Sequence, residues 1–370
     1  MRPAFGLATT IYLAAQCFAQ APAANQCVAD LEAIPGFLLK NDTGAKDQLA
    51  QWGQNHFDDA FATANASASQ VADQQACLQV LTRYIKAWRK GHLSVSPNMS
   101  AEKSSEPSAT KNPKIEIPIR FLSAKTALLV LKSFAPEYRD PLIAALKDNH
   151  DALAAHPNWI IDVRGNGGGS DSSYTPLMSW LLPDEVVSVG AAWRVTPANL
   201  EGHQKVCAIF APGDKEYEKF QKDVAERTRN AKEGSYVPHD DSGGMSYERT
   251  KPLEPKRPDR VAILIDGQCG SSCEEFVLIA RQSFQVKLIG RRTYGSLDYS
   301  NLRPFLLPSG QRMLWYATSR SMRIPDAPVD LAGIPPDIYL PLSQGAQAKE
   351  DEMRRVQNWL EGGTLAPSPK

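Results

Sequence analysis

Two short turns concentrate residue types from which chemistry is built. The first reads Asp162-Val163-Arg164-Gly165-Asn166-Gly167-Gly168-Gly169 and closes an apolar run. Glycine lacks a Cβ, so such a turn bends tightly and presents bare N–H groups to a ligand. Those donors suit a phosphate or a developing oxyanion. A phosphate loop would continue Gly-Lys-Ser/Thr, and a dinucleotide fingerprint would want Gly or Ala where Ser170 stands. Taken alone, the turn is equally well a structural one, since turns enrich glycine. The second reads Cys269-Gly270-Ser271-Ser272-Cys273-Glu274-Glu275-Phe276, between an apolar run and a helical pattern. Ser271 with Glu274 three residues later forms a capping box, which on its own means only a helix start. The same placement also exposes a hydroxyl at the positive end of a helix. There it could attack an acyl carbon while the dipole favours the negative charge that develops.

These turns need elements to hold them. Ala127–Leu131, Trp159–Val163, Val261–Ile265 and Val286–Ile289 are short, continuous apolar runs, as buried parallel strands require. Helical patterns over 138–154, 175–182 and 272–284 alternate with them. Such alternation predicts an α/β core with a largely parallel sheet. Residues 27 to about 92 read as helical, with Leu78, Leu81, Ile85 and Trp88 on one face and Gly91 as a stop. The expected organisation is a leader at 1–19, a helical domain at 20–93 and a Ser/Pro/Lys-rich linker at 94–114. A catalytic domain at 115–345, with a charged insertion at 213–255, and a tail at 346–370 complete it.

Lysine plus arginine number 41 and aspartate plus glutamate 41, so charge gives no reason to expect nucleic acid or an anionic membrane as partner. Arg2, the apolar stretch Leu7–Ala15 and the small residue Ala19 read as an export signal, too short to span a bilayer. A secreted or periplasmic location follows, and with it an expectation of disulfides. Cys27 and Cys77 flank one helical region and are the expected pair, worth about 4 kcal/mol on the chain-entropy model. Cys269 and Cys273 could bridge each other or Cys207, and an odd count leaves one thiol over. No CxxC or HExxH spacing suggests a metal, and no cofactor is implied.

Taken together, four segments make the chain resemble the tail-specific (C-terminal processing) peptidases and the catalytic core of tricorn protease. They are IIDVRGNGGG at 160–169, VAILIDGQCGSSCEEF at 261–276, LIGRRTYGSLDYSN at 288–301 and AGIPPDIYL at 332–340. The resemblance implies a crotonase-like spiral α/β core beside a small N-terminal helical domain. It implies Ser271 as nucleophile and Glu274 as its acidic partner, with Ser272 and Glu275 the alternative at the same spacing. It also implies an oxyanion hole from the N–H of Ser272 and that of Gly167 or Gly168. Tail-specific proteases carry a lysine base after Thr-x-Gly; here Thr293-Tyr294-Gly295 is followed by Ser296, which excludes that dyad. The tricorn branch uses a histidine ending the helical region and a carboxylate before the last Gly-x-x-Pro-Asp stretch. Those positions fall on His92 as base and Asp330 as the carboxylate orienting it. Asp326 lies nearby, Gly91 replaces an assisting serine, and Lys132 is a reserve base.

Relatives commonly place a peptide-binding PDZ module between the helical part and the core. About twenty residues are too few for one, so selection of C-terminal tails is not implied. The expected function is hydrolysis of exported polypeptides through an acyl-enzyme. The competing expectations are a non-catalytic peptide-binding protein on the same fold and a hydrolase of other acyl bonds. The sequence is silent on oligomeric state.

Overall fold

The computed structural model describes residues 23–98, 115–182, 185–241, 244–249, 258–343 and 347–365. The expected leader and most of the expected linker lie outside them. Four helices open the chain: α1 (Ala23–Asn41), α2 (Ala45–Trp52), α3 (Gln54–Ala68) and α4 (Gln74–Trp88). Strands β1 (Ser94–Pro97), β2 (Ile119–Phe121) and β3 (Thr126–Val130) follow, then helices α5 (Arg139–Asp148) and α6 (His150–Ala155). Next come β4 (Asn158–Asp162), α7 (Thr175–Leu181), β5 (Glu185–Val189), β6 (Ala191–Arg194), α8 (Pro197–Phe210) and α9 (Lys215–Arg229). The rest comprises β7 (Tyr236–Pro238), β8 (Met245–Arg249), β9 (Arg260–Ile265), α10 (Ser272–Ala280), β10 (Val286–Gly290), β11 (Tyr299–Leu306), β12 (Arg312–Ser321), β13 (Ile338–Tyr339) and α11 (Ala348–Leu360).

The main sheet runs β13-β10-β9-β4-β3-β2, parallel except for β2 at one edge. Its central strands are apolar throughout because both faces are covered. Val261, Ile263 and Ile265 join Trp159, Ile161, Leu129, Leu177 and Phe276 on one face. Ala262, Leu264, Ile160 and Leu128 meet Met353, Val356 and Leu360 of α11 on the other. Each large side chain so buried stabilises the fold by about 1.5–3 kcal/mol relative to exposure. The stretch expected as a tail therefore contains a helix that closes one face of the core. In its heavily charged sequence, only a narrow apolar stripe records that contact.

A second, antiparallel sheet runs β1-β12-β6-β7, with β11 also on β12. The helical domain packs on it. Leu31, Ile34, Leu38, Leu81, Ile85 and Trp88 share a core with Leu307, Leu314 and Tyr316. Phe37 stacks on Phe305 at 3.7 Å, and a buried Arg312–Asp30 pair at 2.6 Å crosses the same junction. The Cys27–Cys77 disulfide ties α1 to α4. The first residues of the expected linker are strand β1, and the expected insertion contains helix α9. Among the described residues, no helix is long and apolar enough to cross a membrane.

Candidate active site

Parallel pairing aligns the carboxyl ends of β4, β9 and β10: Asp162 lies opposite Leu264, and Ile265 opposite Gly290. Three loops therefore leave the sheet side by side. They are the glycine turn after β4, the Ser271 turn after β9 and the 291–298 loop after β10. This is the place where open α/β sheets gather ligands.

Ser271 precedes α10 with φ 58° and ψ −127°. A non-glycine residue in this sparsely populated region costs about 1–3 kcal/mol and persists only where neighbours enforce it. Two devices do so. The Cys269–Cys273 disulfide bridges the turn across Ser271. Glu274, fully buried, accepts from Ser271 N at 3.2 Å, Gly295 N at 2.8 Å, Ser296 N at 2.8 Å and Thr293 Oγ1 at 2.5 Å. Burial raises the Glu274 carboxyl pKa and these four donors oppose the rise. Glu274 thus couples the Ser271 turn to the 293–296 loop.

His92 arrives from the other lobe, just after α4. Its Nε2 lies 3.0 Å from Ser271 Oγ and its Nδ1 2.6 Å from the carbonyl oxygen of Tyr299. A carbonyl only accepts, so Nδ1 carries the proton and Nε2 offers its lone pair to the hydroxyl. Burial lowers the His92 pKa to about 4; the Tyr299 carbonyl opposes that and the Arg89 charge adds to it. The imidazole is therefore neutral at pH 7. Arg89 donates to His92 O at 3.3 Å and is anchored by Asp42 at 2.6 Å. Gly91 allows the approach: its φ is 80°, and a Cβ there would lie 2.7 Å from Ser296 Cβ.

Asp330 does not orient the imidazole, because Tyr299 O occupies Nδ1. Asp330 Oδ1 instead accepts from Leu297 N at 2.5 Å and Asp298 N at 2.7 Å. Asp298 Oδ2 returns the arrangement, accepting from Val329 N and Asp330 N, both at 2.7 Å. The two carboxylates clasp the strand entry that ends in the Tyr299 carbonyl. Burial raises the Asp330 pKa to about 7, opposed by the Asp298 N–H and reinforced by the Asp298 charge.

The glycine turn packs directly on Ser271. A Cβ on Gly168 would lie 2.6 Å from Gly270 O, 2.7 Å from Ser271 Cβ and 3.0 Å from Ser272 N. The Gly168 N–H is already spent on Asn166 Oδ1 at 2.9 Å, so Gly168 contributes space rather than a donor. The N–H groups of Gly167 and Ser272 make no bond to a described residue. Asn166 fixes the turn, donating from Nδ2 to Leu131 O at 3.0 Å and accepting Gly270 N at 3.2 Å.

It is the Ser271 hydroxyl, not that of Ser272, that the imidazole reaches, and Glu275 pairs with Arg323 through both oxygens at 2.8 Å. Lys132 and Asp326 are exposed. Sequence reasoning did not find Tyr299, because a main-chain acceptor has no side-chain signature. Asn166 was visible in its motif; an Asx turn two residues before a required glycine was its signal.

Residues 125–340 match Peptidase family S41, more than half of the 370-residue chain. The chain belongs to Peptidase family S41. It is a serine peptidase, and the family implies a polypeptide substrate. The S41 chain is similar to a putative peptidase from Parabacteroides merdae, at 16% identity and TM-score 0.55, over 89% of this chain and 92% of that one. It is also similar to mature CPAF complexed with lactacystin, at 11% identity and TM-score 0.61, over 92% and 97%. A CPAF mutant gives 12% identity and TM-score 0.63, over 93% and 100%. At such identities the likeness is one of fold, here the crotonase-like spiral with an N-terminal helical region. No curated protein matches the S41 chain.

Proposed function

We propose that this S41 peptidase cleaves exported polypeptides through an acyl-enzyme on Ser271, with His92 as general base. The carrying observation is the chain Tyr299 O, His92 Nδ1, His92 Nε2, Ser271 Oγ, at 2.6 Å and 3.0 Å. A serine hydroxyl is a poor nucleophile until a neighbouring base takes its proton, and that base must hold the right tautomer. As Oγ attacks the scissile carbonyl, its proton passes to Nε2. The carbonyl oxygen gains charge between the N–H groups of Ser272 and Gly167. His92 then returns the proton to the leaving amine, and water repeats the sequence to release the acyl group. Glu274 holds the turn, and Asp330 acts through the backbone that presents the Tyr299 carbonyl.

Two disulfides support an oxidising, extracytoplasmic location, in keeping with the leader pattern at 1–19. The proposed division is a helical lobe at 20–93 that ends just after His92 and a core from 115 that extends through α11, with β1 at Ser94–Pro97 belonging to the second sheet rather than to a linker. Expected outcome: Ser271→Ala lowers kcat on a peptide substrate by about 10⁴–10⁶ without loss of fold. Retained turnover in the folded variant would falsify the assignment.

A further inference from the structure

Tyr294 and Leu331 are large apolar residues, 52% and 56% exposed, on loops that touch beside the nucleophile turn. The Tyr294 side chain rests against Gly270, where a Cβ would lie 3.4 Å from Tyr294 Cβ and 3.7 Å from Cδ1. Its N–H donates to Cys269 O at 2.8 Å, fastening it to the disulfide-bridged turn. Gly168 approaches the carbonyl oxygen of that same Gly270. The nucleophile turn thus has the glycine turn against one part of Gly270 and the aromatic against another.

The Leu331 backbone is held to the same loop: its N–H donates at 3.1 Å to the carbonyl of Gly295, the residue after Tyr294. Leu331 adopts φ 67°. For a residue with a Cβ, that left-handed conformation costs roughly 1–2 kcal/mol. A leucine half exposed to solvent gains little burial to offset the strain. A ligand covering both residues would supply the burial that the fold itself does not.

We infer that Tyr294 and Leu331 form an apolar subsite selecting a large apolar or aromatic side chain next to the scissile bond. The inference rests on Ser271 being the nucleophile, since the subsite is placed by Tyr294 lying against that turn. Contacts of this kind discriminate between side chains by roughly 10–200-fold in kcat/KM.

A positional-scanning library of internally quenched peptides tests it, with alkyl fluorophosphonate labelling of the wild type run beside it. The readout is a ratio: kcat/KM for a large apolar residue over kcat/KM for alanine at each position flanking the cleaved bond. Any general loss of activity cancels in that ratio. The wild type is expected to show a ratio of roughly 10 or more at one position. Tyr294→Ala and Leu331→Ser should bring that ratio towards one, while Tyr294→Phe, which keeps the ring, should preserve it. A wild type that is labelled and cleaves peptides without apolar preference contradicts the subsite, as does a preference untouched by either variant. A wild type that resists the fluorophosphonate and cleaves nothing contradicts the nucleophile assignment itself, a separate outcome.

Discussion

At the residue scale, the proposed base, His92, has its tautomer set by a main-chain carbonyl rather than a carboxylate. This separates it from triads in which an aspartate touches the imidazole, where replacing that aspartate by asparagine costs about 10⁴ in kcat. Here Asp330 holds Leu297 and Asp298 N–H with one oxygen, and an asparagine carbonyl can do the same. Asp330→Asn is therefore expected to lose less than about 10-fold in kcat, against the 10⁴ of a direct contact. Asp330→Ala should lose more and also lower Tm, because two N–H groups lose their acceptor. A raised carboxyl pKa favours folding below 3.8, and that contribution is lost as pH rises through about 7. The Asn variant should therefore compare best with wild type at alkaline pH, measured by thermal unfolding. His92 makes a second prediction. Its conjugate acid forms only near pH 4, so kcat/KM should hold level well below pH 6.5 and fall through about 4. An acid limb centred at 6.5 would mean a solvated imidazole.

At the element scale, the site is the meeting of loops from adjacent parallel strands, and space between those loops is as necessary as donors. Gly168→Ala puts a methyl group against Gly270 O and Ser272 N, at a backbone angle of φ 97° that disfavours side chains. It should cost about 10²–10³ in kcat, the loss typical of an oxyanion-hole donor, with a smaller change in KM. Wild-type turnover in this variant would place the oxyanion elsewhere. The strands beneath these loops were legible because burial on two faces demands continuous apolar runs such as Val261–Ile265. Strands β11 and β12 were not, since polar and apolar residues mix along them and Arg303 and Arg312 are buried within them. Helix α11 escaped for a related reason: Met353, Val356 and Leu360 are a thin stripe among charges. Ser271 and Glu274 were legible through their motif. What Glu274 holds together was not, because its partners at 293–296 are distant in sequence.

At the scale of the whole molecule, the proposed nucleophile and base belong to different lobes, so the proposed mechanism depends on how firmly those lobes dock. The helical domain shares its apolar core with the second sheet, and the buried Arg312–Asp30 pair and the Asp42 carboxylate, which accepts from Ala317 N at 3.0 Å, lock the orientation. Removing one partner of such a pair typically destabilises by about 3–5 kcal/mol. The Cys27–Cys77 bridge secures the lobe that delivers His92. The most direct test measures the second-order rate at which an alkyl fluorophosphonate labels Ser271, in wild type and in folded His92→Ala. With the imidazole taking the serine proton across the junction, the variant should label at least about 10³-fold more slowly. Labelling at the wild-type rate would contradict the assignment of His92 as the base.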